Sequence, residues 1–135
     1  MIEWDQFYMT VAKAVAGLSY DDKRKVGCVI EKNGNIISFS YNGTIPGSSN
    51  RMRDADGKTL PEVLHAEAMA IIKAMNNSNN CQGATVYVTL SPCVECSKLL
   101  ITAGVRRVVY LEPYKCMDGV KLLKECGVLV AQVYA

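Results

Sequence analysis

Residues 89–98 read TLSPCVECSK. The first two of them end the run ATVYVTL at 84–90, whose β-branched and aromatic residues predict a strand. Serine is a favoured N-cap and proline a favoured first helical residue, so Ser91 and Pro92 predict a helix over 92–103. A strand that leads directly into a helix is the repeating unit of α/β proteins. This stretch therefore indicates the fold class.

The rest of the chain extends the same pattern. Apolar residues at three-to-four spacing predict a helix over 2–18, and an Asn33-Gly34 turn between two apolar runs predicts a hairpin. The other predicted elements are a helical segment at 62–75, a strand at 106–112, a helix at 117–126 and a strand at 128–134. The segment 42–61 has no period and predicts one long, functional loop. We expect one layered α/β domain over residues 1–135, with parallel strands late in the chain.

Composition and charge limit the possible functions. The chain has 135 residues, of which 50% are hydrophobic and 21% charged, which predicts a globular domain. Its net charge is +2 and its basic residues are scattered apart from KRK at 23–25, so a small anionic ligand is favoured over a nucleic acid. The first residues do not resemble a signal peptide, and no apolar run has the ~20 residues of a membrane span. We expect a cytoplasmic protein without membrane contact.

Six cysteines are present, and a chain without signs of export should keep them reduced. Only Cys93 and Cys96 have the spacing of a ligand pair, which suits a redox pair, a structural zinc site or half of a catalytic metal site. The other four are expected to be core or surface residues: Cys28, Cys81, Cys116 and Cys126.

Zinc is bound in proteins mainly by thiolates and imidazoles in tetrahedral geometry. Cys93 and Cys96 lie on one face at a predicted helix start, where the helix dipole lowers thiol pKa values. A structural site needs a fourth ligand with its own close partner, but the chain has a single histidine, His65, and no second cysteine pair of this kind. Three ligands with one position left for water is the arrangement of a catalytic site.

Glu67 lies two residues after His65 at the start of the second predicted helical segment. Taken alone, it is explained better as a first-turn acid that stabilises the helix dipole. Beside the predicted zinc site, its carboxylate can take a proton from water, deliver it to a ring nitrogen and later protonate a leaving amine. Hydrolytic deamination requires these transfers, so we predict Glu67 as the catalytic acid–base.

HAE at 65–67 and PCVEC at 92–96 match the H-x-E…P-C-x-x-C signature of zinc deaminases. The chain here resembles the cytidine and deoxycytidylate deaminase superfamily, and it is most similar to its deoxycytidylate (dCMP) deaminases through DDKRKVG at 21–27, YNG at 41–43 and the block from Tyr87 to Tyr110. The resemblance implies a cytidine deaminase-like three-layer α/β/α fold with a mixed five-stranded sheet. It also implies one Zn²⁺ per chain and hydrolysis of dCMP to dUMP and ammonia, which supplies a thymidylate precursor.

The resemblance also assigns substrate-binding residues. Asn42 would bond the sugar 3′-hydroxyl or the phosphate and Val26 would line the base pocket, although a turn residue and a core valine explain them equally well. Ser91 would cap its helix and contact the ligand, and Tyr114 would close over the sugar or cover the core. For the phosphate we predict Lys25, with its neighbour Arg24, against the alternative of plain surface solvation.

Regulation and assembly are implied in the same way. Many members of the family form hexamers, are activated by dCTP with Mg²⁺ and are inhibited by dTTP. The corresponding allosteric residues in this chain would be Asn42, Gly43, Arg51, Arg53 and Asp54.

Two alternatives remain open at this stage. The family often has Asn two residues after the motif Glu, whereas this chain has Met69, as tRNA adenosine deaminases do. A deaminase of nucleosides or of tRNA adenosine is therefore the first alternative. The second, of a different class, is a regulatory protein that binds zinc without turnover.

Overall fold

The computed structural model describes residues 3–134. Its helices are α1 (Trp4–Ala16), α2 (Ala66–Asn76), α3 (Val94–Thr102) and α4 (Asp118–Glu125). Its strands are β1 (Gly27–Lys32), β2 (Asn35–Tyr41), β3 (Gly43–Thr44), β4 (Val63–Leu64), β5 (Thr85–Leu90), β6 (Arg107–Glu112) and β7 (Leu129–Gln132).

Five strands form the main sheet in the order β2-β1-β5-β6-β7. Strand β1 is antiparallel to β2 and to β5, while β5, β6 and β7 run parallel to one another. The β1–β2 hairpin turns at Asn33 and Gly34, whose φ angles of 54° and 82° are those that an Asn-Gly turn supplies. The parallel strands are connected through α3 and α4. The predicted mixed five-stranded sheet is confirmed.

The two faces of the sheet bury different helices because side chains alternate along each strand. Val29, Tyr87 and Val109 pack on one face with Tyr8, Met9, Ala12 and Val15 of α1. On the other face, Cys28, Ile30, Val86, Val88 and Val108 pack with residues of α2, α3 and α4 that include Ala70, Leu100 and Leu123. Gly27 lets α1 approach β1 closely, because a Cβ there would collide with the Ala12 carbonyl oxygen. The result is the predicted α/β/α layering.

Two sequence-based predictions about the segments near the metal ligands were wrong. The segment 42–61 is not a uniform loop, because β3 near its start pairs with β4 just beyond its end, and Arg53 bridges to Thr59 inside it. Likewise, 62–75 is not helical throughout, since β4 occupies 63–64 and α2 begins at Ala66. Two-residue ladders are too short to leave an alternating pattern in the sequence.

The start of α3 also differs from the prediction. The helix begins at Val94 with Cys93 as its N-cap, so Ser91 does not cap it. The Ser91 hydroxyl instead accepts a hydrogen bond from the Tyr114 backbone N–H at 2.7 Å. Among the described residues, no helix combines the length and the apolar character that crossing a bilayer requires.

Candidate active site

The N-termini of α2 and α3 bring the predicted metal ligands together. His65 is the N-cap of α2 and directly follows β4, while Cys93 is the N-cap of α3 and is separated from the end of β5 by Ser91 and Pro92. Cys96 lies on the first turn of α3 and is buried. Because α2 and α3 pack on the same face of the sheet, residues that lie 28 and 31 positions apart in the chain come into contact.

His65, Cys93 and Cys96 form a compact cluster. The Nδ1 atom of His65 lies 3.3 Å from the Cys96 Sγ and 3.5 Å from the Cys93 Sγ, and the ligand atoms all lie within 4.8 Å of one another. Two thiolates and one imidazole are a donor set that zinc prefers, and three protein ligands leave a position for water. The side chains present therefore fit a catalytic zinc ion.

The pKa values of the two thiols in the cluster are shifted in opposite directions. Hydrogen bonds with Cys96 and His65 lower the pKa of Cys93 to about 3. The same contact between the thiols, together with burial, raises the pKa of Cys96, and the hydrogen bond to Cys93 raises the pKa of His65. Because zinc binds thiolates and neutral imidazole, its affinity for this cluster would depend on pH.

Glu67 is almost completely buried beside this cluster, on the first turn of α2. Burial raises the pKa of its carboxyl to about 7. A first-turn acid that only stabilised the helix dipole would be exposed to solvent, because burying a carboxylate is costly. The burial of Glu67 therefore favours a chemical role.

A cavity of about 290 Å³ opens onto the cluster and Glu67. It contains three apolar side chains, Val26, Val63 and Leu90, that offer a surface for a flat ring. Its remaining lining residues are Asp21, Arg24, Asn42, Arg53, Thr59, His65, Ala66, Glu67, Ser91, Cys93 and Tyr114. A concave site that combines an apolar patch with convergent polar groups suits a small molecule.

Residues 2–112 match the family model described as the cytidine and deoxycytidylate deaminase zinc-binding region. The chain belongs to this family. It is 34% identical to the deoxycytidylate deaminase of Saccharomyces cerevisiae over 96% of the chain, and 36% identical to that of Homo sapiens over 82%. The chain spans 44% and 65% of the lengths of these two relatives.

A solved structure extends the likeness to three dimensions. The dCMP deaminase of cyanophage S-TIM5, in complex with dCMP and dUMP, superimposes with a TM-score of 0.95 and 36% identity, and the match covers 98% of both chains. This confirms both the predicted resemblance and the deaminase fold.

In this deaminase-family chain, several predicted substrate-binding residues line the cavity, namely Val26, Asn42, Ser91 and Tyr114. Lys25 is exposed and is not among the lining residues, whereas its neighbour Arg24 is. The Arg24 guanidinium approaches the Glu112 carboxylate at 3.8 Å, and both side chains are largely exposed. Arg24 is therefore the cation of the KRK cluster that faces the cavity.

Sequence reasoning missed the ion pair that closes one wall of the cavity. Asp21 accepts hydrogen bonds from the Arg53 Nε and one terminal nitrogen, each at 2.8 Å, and the other terminal nitrogen donates to the Gly57 carbonyl at 2.9 Å. Burial alone would raise the pKa of Asp21, but hydrogen bonds from Arg53 and from the Lys23 backbone hold it below its ordinary value. The two residues lie 32 positions apart, and no short sequence motif predicts such a pair.

Asn42 joins the same wall. Its side-chain oxygen accepts the Val26 N–H at 2.9 Å, and its amide donates to the Arg24 carbonyl at 2.9 Å and to Asp21 at 3.5 Å. The Ser19 hydroxyl donates to the Asn42 carbonyl at 2.9 Å. Asn42 therefore holds the backbone of Arg24 and Val26 in place beside the cavity.

The residues predicted as an allosteric set are divided among three cavities. Arg51, Arg53 and Asp54 line a second cavity of about 520 Å³, which shares Asp21 and Arg53 with the first. Gly43 lines a third, of about 220 Å³, while Asn42 lines the first, beside the ligand cluster. Met69 also faces this third cavity and is not among the residues that line the catalytic one.

The four cysteines outside the cluster behave as expected from their spacing. Cys28 and Cys81 are buried in the core, whereas Cys116 and Cys126 are exposed. None of these four described residues belongs to the ligand cluster.

Proposed function

We propose that this chain is a zinc-dependent hydrolase that converts dCMP and water to dUMP and ammonia, and so supplies a precursor of thymidylate. The observation that carries the proposal is the position of Glu67, which is buried and lines the same cavity as His65 and Cys93, two members of the cluster that Cys96 completes. Two further findings support it: the named relatives are deoxycytidylate deaminases, and the cyanophage enzyme was solved with dCMP and dUMP.

His65, Cys93 and Cys96 would hold the zinc ion. When bound, zinc supplies a nucleophile at neutral pH by lowering the pKa of water. The protein contributes the fixed placement of the three ligands on two helix starts, and it contributes a cavity that adjoins them.

Glu67 performs the proton transfers in this proposal. Its carboxylate takes a proton from the attacking water and delivers it to N3 of the cytosine ring. After C4 has been attacked, Glu67 takes the remaining proton of the added hydroxyl and carries it to the amino group, so that C4 becomes a carbonyl and ammonia departs. Glu67 lies on the first turn of α2, and His65 is the N-cap of the same helix. The helix therefore holds the carboxyl beside the ligand cluster in every step.

The cavity divides into an apolar and a polar part that suit a nucleotide. Val26, Val63 and Leu90 would contact the base, and Asn42 and Tyr114 would contact the sugar. Arg24 is well placed for the phosphate, because the other cavity guanidinium, Arg53, is already neutralised by Asp21. Lys25, predicted for the same role, would reach the phosphate only from outside the cavity wall.

The test is ammonia release from purified, zinc-analysed protein given dCMP, CMP, deoxycytidine or a tRNA anticodon stem. We expect turnover of dCMP well above that of the other three, with one zinc per chain. Turnover of the RNA alone would contradict the proposal and favour the tRNA adenosine alternative. A zinc-loaded protein inert on all four would favour the regulatory alternative.

Regulation by dCTP with Mg²⁺ and by dTTP, and assembly into a hexamer, belong to the same proposal. In its support, the second cavity carries Arg51 and shares the Asp21–Arg53 wall with the catalytic one, so a ligand there would touch residues of the active site. Ammonia release at subsaturating dCMP should rise with dCTP and Mg²⁺ and fall with dTTP. Analytical ultracentrifugation would report the assembly, and a monomer insensitive to both triphosphates would contradict this part alone.

A further inference from the structure

The loop that follows β6 carries Tyr114 into the cavity although little packing holds it there. Pro113, Lys115 and Cys116 are exposed, and only Tyr114 and Met117 are partly buried in residues 112–118. The Tyr114 backbone N–H nevertheless donates a hydrogen bond of 2.7 Å to the hydroxyl of Ser91, which is buried. A single buried side chain thus fixes the loop at the residue that lines the cavity.

Ser91 contacts this loop at three points. Its backbone N–H donates to the Glu112 carbonyl at 2.9 Å, its Oγ accepts from Tyr114, and its O–H lies 3.5 Å from the Met117 sulfur. Ser91 is itself fixed, because Pro92 and Cys93 follow it directly and the backbone of Gly119 packs against them without room for a Cβ. The loop is therefore attached to the same short segment that supplies a metal ligand.

We infer that Ser91 is a positioning residue, whose hydroxyl sets the place of Tyr114 against the bound substrate. The inference rests on the proposed function for its kinetic consequence. Tyr114 would contact sugar or base equally before and during the reaction, so moving it weakens binding without slowing the chemical step. Such a loss of uniform binding raises KM and leaves kcat nearly unchanged.

The kinetic experiment compares Ser91→Ala, Ser91→Thr and Ser97→Ala with the unmodified holoenzyme on dCMP. Losing one hydrogen bond of this kind should raise the KM of Ser91→Ala by about tenfold, with kcat within about threefold. Ser91→Thr keeps the hydroxyl and should recover most of the KM. Ser97 is the matched control, because it is a buried serine on α3 whose hydroxyl has no hydrogen-bond partner among the described residues.

A double-mutant cycle separates positioning from a general structural effect. If Ser91 acts through Tyr114, then Ser91→Ala should change KM by less than about twofold in a Tyr114→Ala background, because coupled residues are not additive. Full additivity would overturn the inference. A fall in zinc content in Ser91→Ala alone would also overturn it, since Ser91 would then support the metal site.

Amide hydrogen exchange of the ¹⁵N-labelled holoenzyme gives a readout that does not depend on turnover. The protection factor of the Tyr114 amide should fall at least about tenfold in Ser91→Ala. The Val133 amide, which donates to the Tyr110 carbonyl at 2.9 Å, should be unaffected. Equal Tyr114 exchange in both proteins would overturn the inference, whereas absent dCMP turnover with lost protection would contradict only the proposed function.

Discussion

The two walls of the catalytic cavity are built in different ways. The metal wall carries His65, Glu67 and Cys93, at the N-caps and first turns of helices that pack on the central sheet, and Cys96 is buried in the same ligand cluster. The loop wall is formed by Asp21, Asn42 and Arg53, from segments without regular structure on either side of the hairpin and within the long loop. Apolar packing fixes the metal wall. The Asp21–Arg53 ion pair and the hydrogen bonds of the Asn42 side chain fix the loop wall.

This difference suggests a division of labour. Side chains that must be held to a fraction of an ångström are better placed on regular elements than on loops, because the scaffold limits their motion. A wall held by polar contacts can adjust to a ligand, since local opening costs less where few apolar contacts form. We expect changes in the metal wall to abolish turnover and changes in the loop wall to alter substrate binding and stability.

Replacing a ligand should have the largest effect. Cys93→Ala should lose zinc and turnover together, and it should lower the thermal midpoint, because metal binding free energy contributes to folding. The loss of metal affinity should exceed the ~10–100-fold that removing an outer-shell partner causes. Metal analysis and thermal unfolding measure both, and Cys126→Ala, an exposed cysteine, is the control. Normal zinc content in Cys93→Ala would show that the ligand assignment is wrong.

Glu67→Gln should separate catalysis from metal binding within the same wall. The amide keeps the shape of the side chain but cannot carry the proton, so kcat should fall by ~10²–10⁴-fold while zinc stays bound. Glu95→Gln is the matched control, because Glu95 lies between the two cysteines yet is exposed, and its carboxylate pairs with Lys98 at 3.2 Å. A near-normal rate for Glu67→Gln would exclude its role as acid–base.

The metal wall could be predicted from the sequence because its signals are local. His65 and Glu67 are two residues apart, Cys93 and Cys96 are three apart, and each pair lies at a helix start that the surrounding pattern predicts. The hairpin followed from the Asn-Gly turn, and the parallel strands late in the chain followed from the alternation of strands and helices.

The loop wall could not be predicted, because its contacts join residues far apart in the chain. Asp21 meets Arg53, and Asn42 meets Val26, through geometry that only the folded sheet creates. The same reason explains the error at Ser91: its sequence suits an N-cap, but the folded chain places the Tyr114 N–H within its reach. A tertiary hydrogen bond to a serine hydroxyl can thus override the local preference of serine for the N-cap position.

Breaking the ion pair should show that the loop wall acts on binding. Arg53→Ala leaves the buried Asp21 carboxylate without its partner, which should cost ~3 kcal/mol of stability and raise the KM for dCMP more than it lowers kcat. Arg53→Lys keeps the charge but not the paired donors, so its stability and its KM should lie between those of the unmodified chain and those of Arg53→Ala. Urea unfolding and steady-state kinetics measure these effects, with the exposed Arg106→Ala as control. A fall in kcat at constant KM would mean that both walls act on the chemical step.

The pH dependence of stability should show the smallest difference between the walls. Because the folded state holds the pKa of Asp21 below its ordinary value of 3.8, its contribution to the free energy of unfolding is complete above that value. The contribution is lost as the pH falls through the lower folded pKa. In urea unfolding, the stability difference between the unmodified chain and Asp21→Asn should therefore be constant at neutral pH and shrink on acidification.

Asp5 offers a matched comparison away from the cavity. Its hydrogen bonds with Arg107, at 2.7 and 2.8 Å, hold the pKa of its carboxyl below 3.8, so Asp5→Asn should show the same acid-dependent loss of stability. Asp5 does not line the catalytic cavity, however, so only Asp21→Asn should also raise the KM for dCMP at neutral pH. If both variants left KM unchanged, the Asp21–Arg53 pair would stabilise the fold without shaping the loop wall, and substrate binding would depend on the metal wall alone.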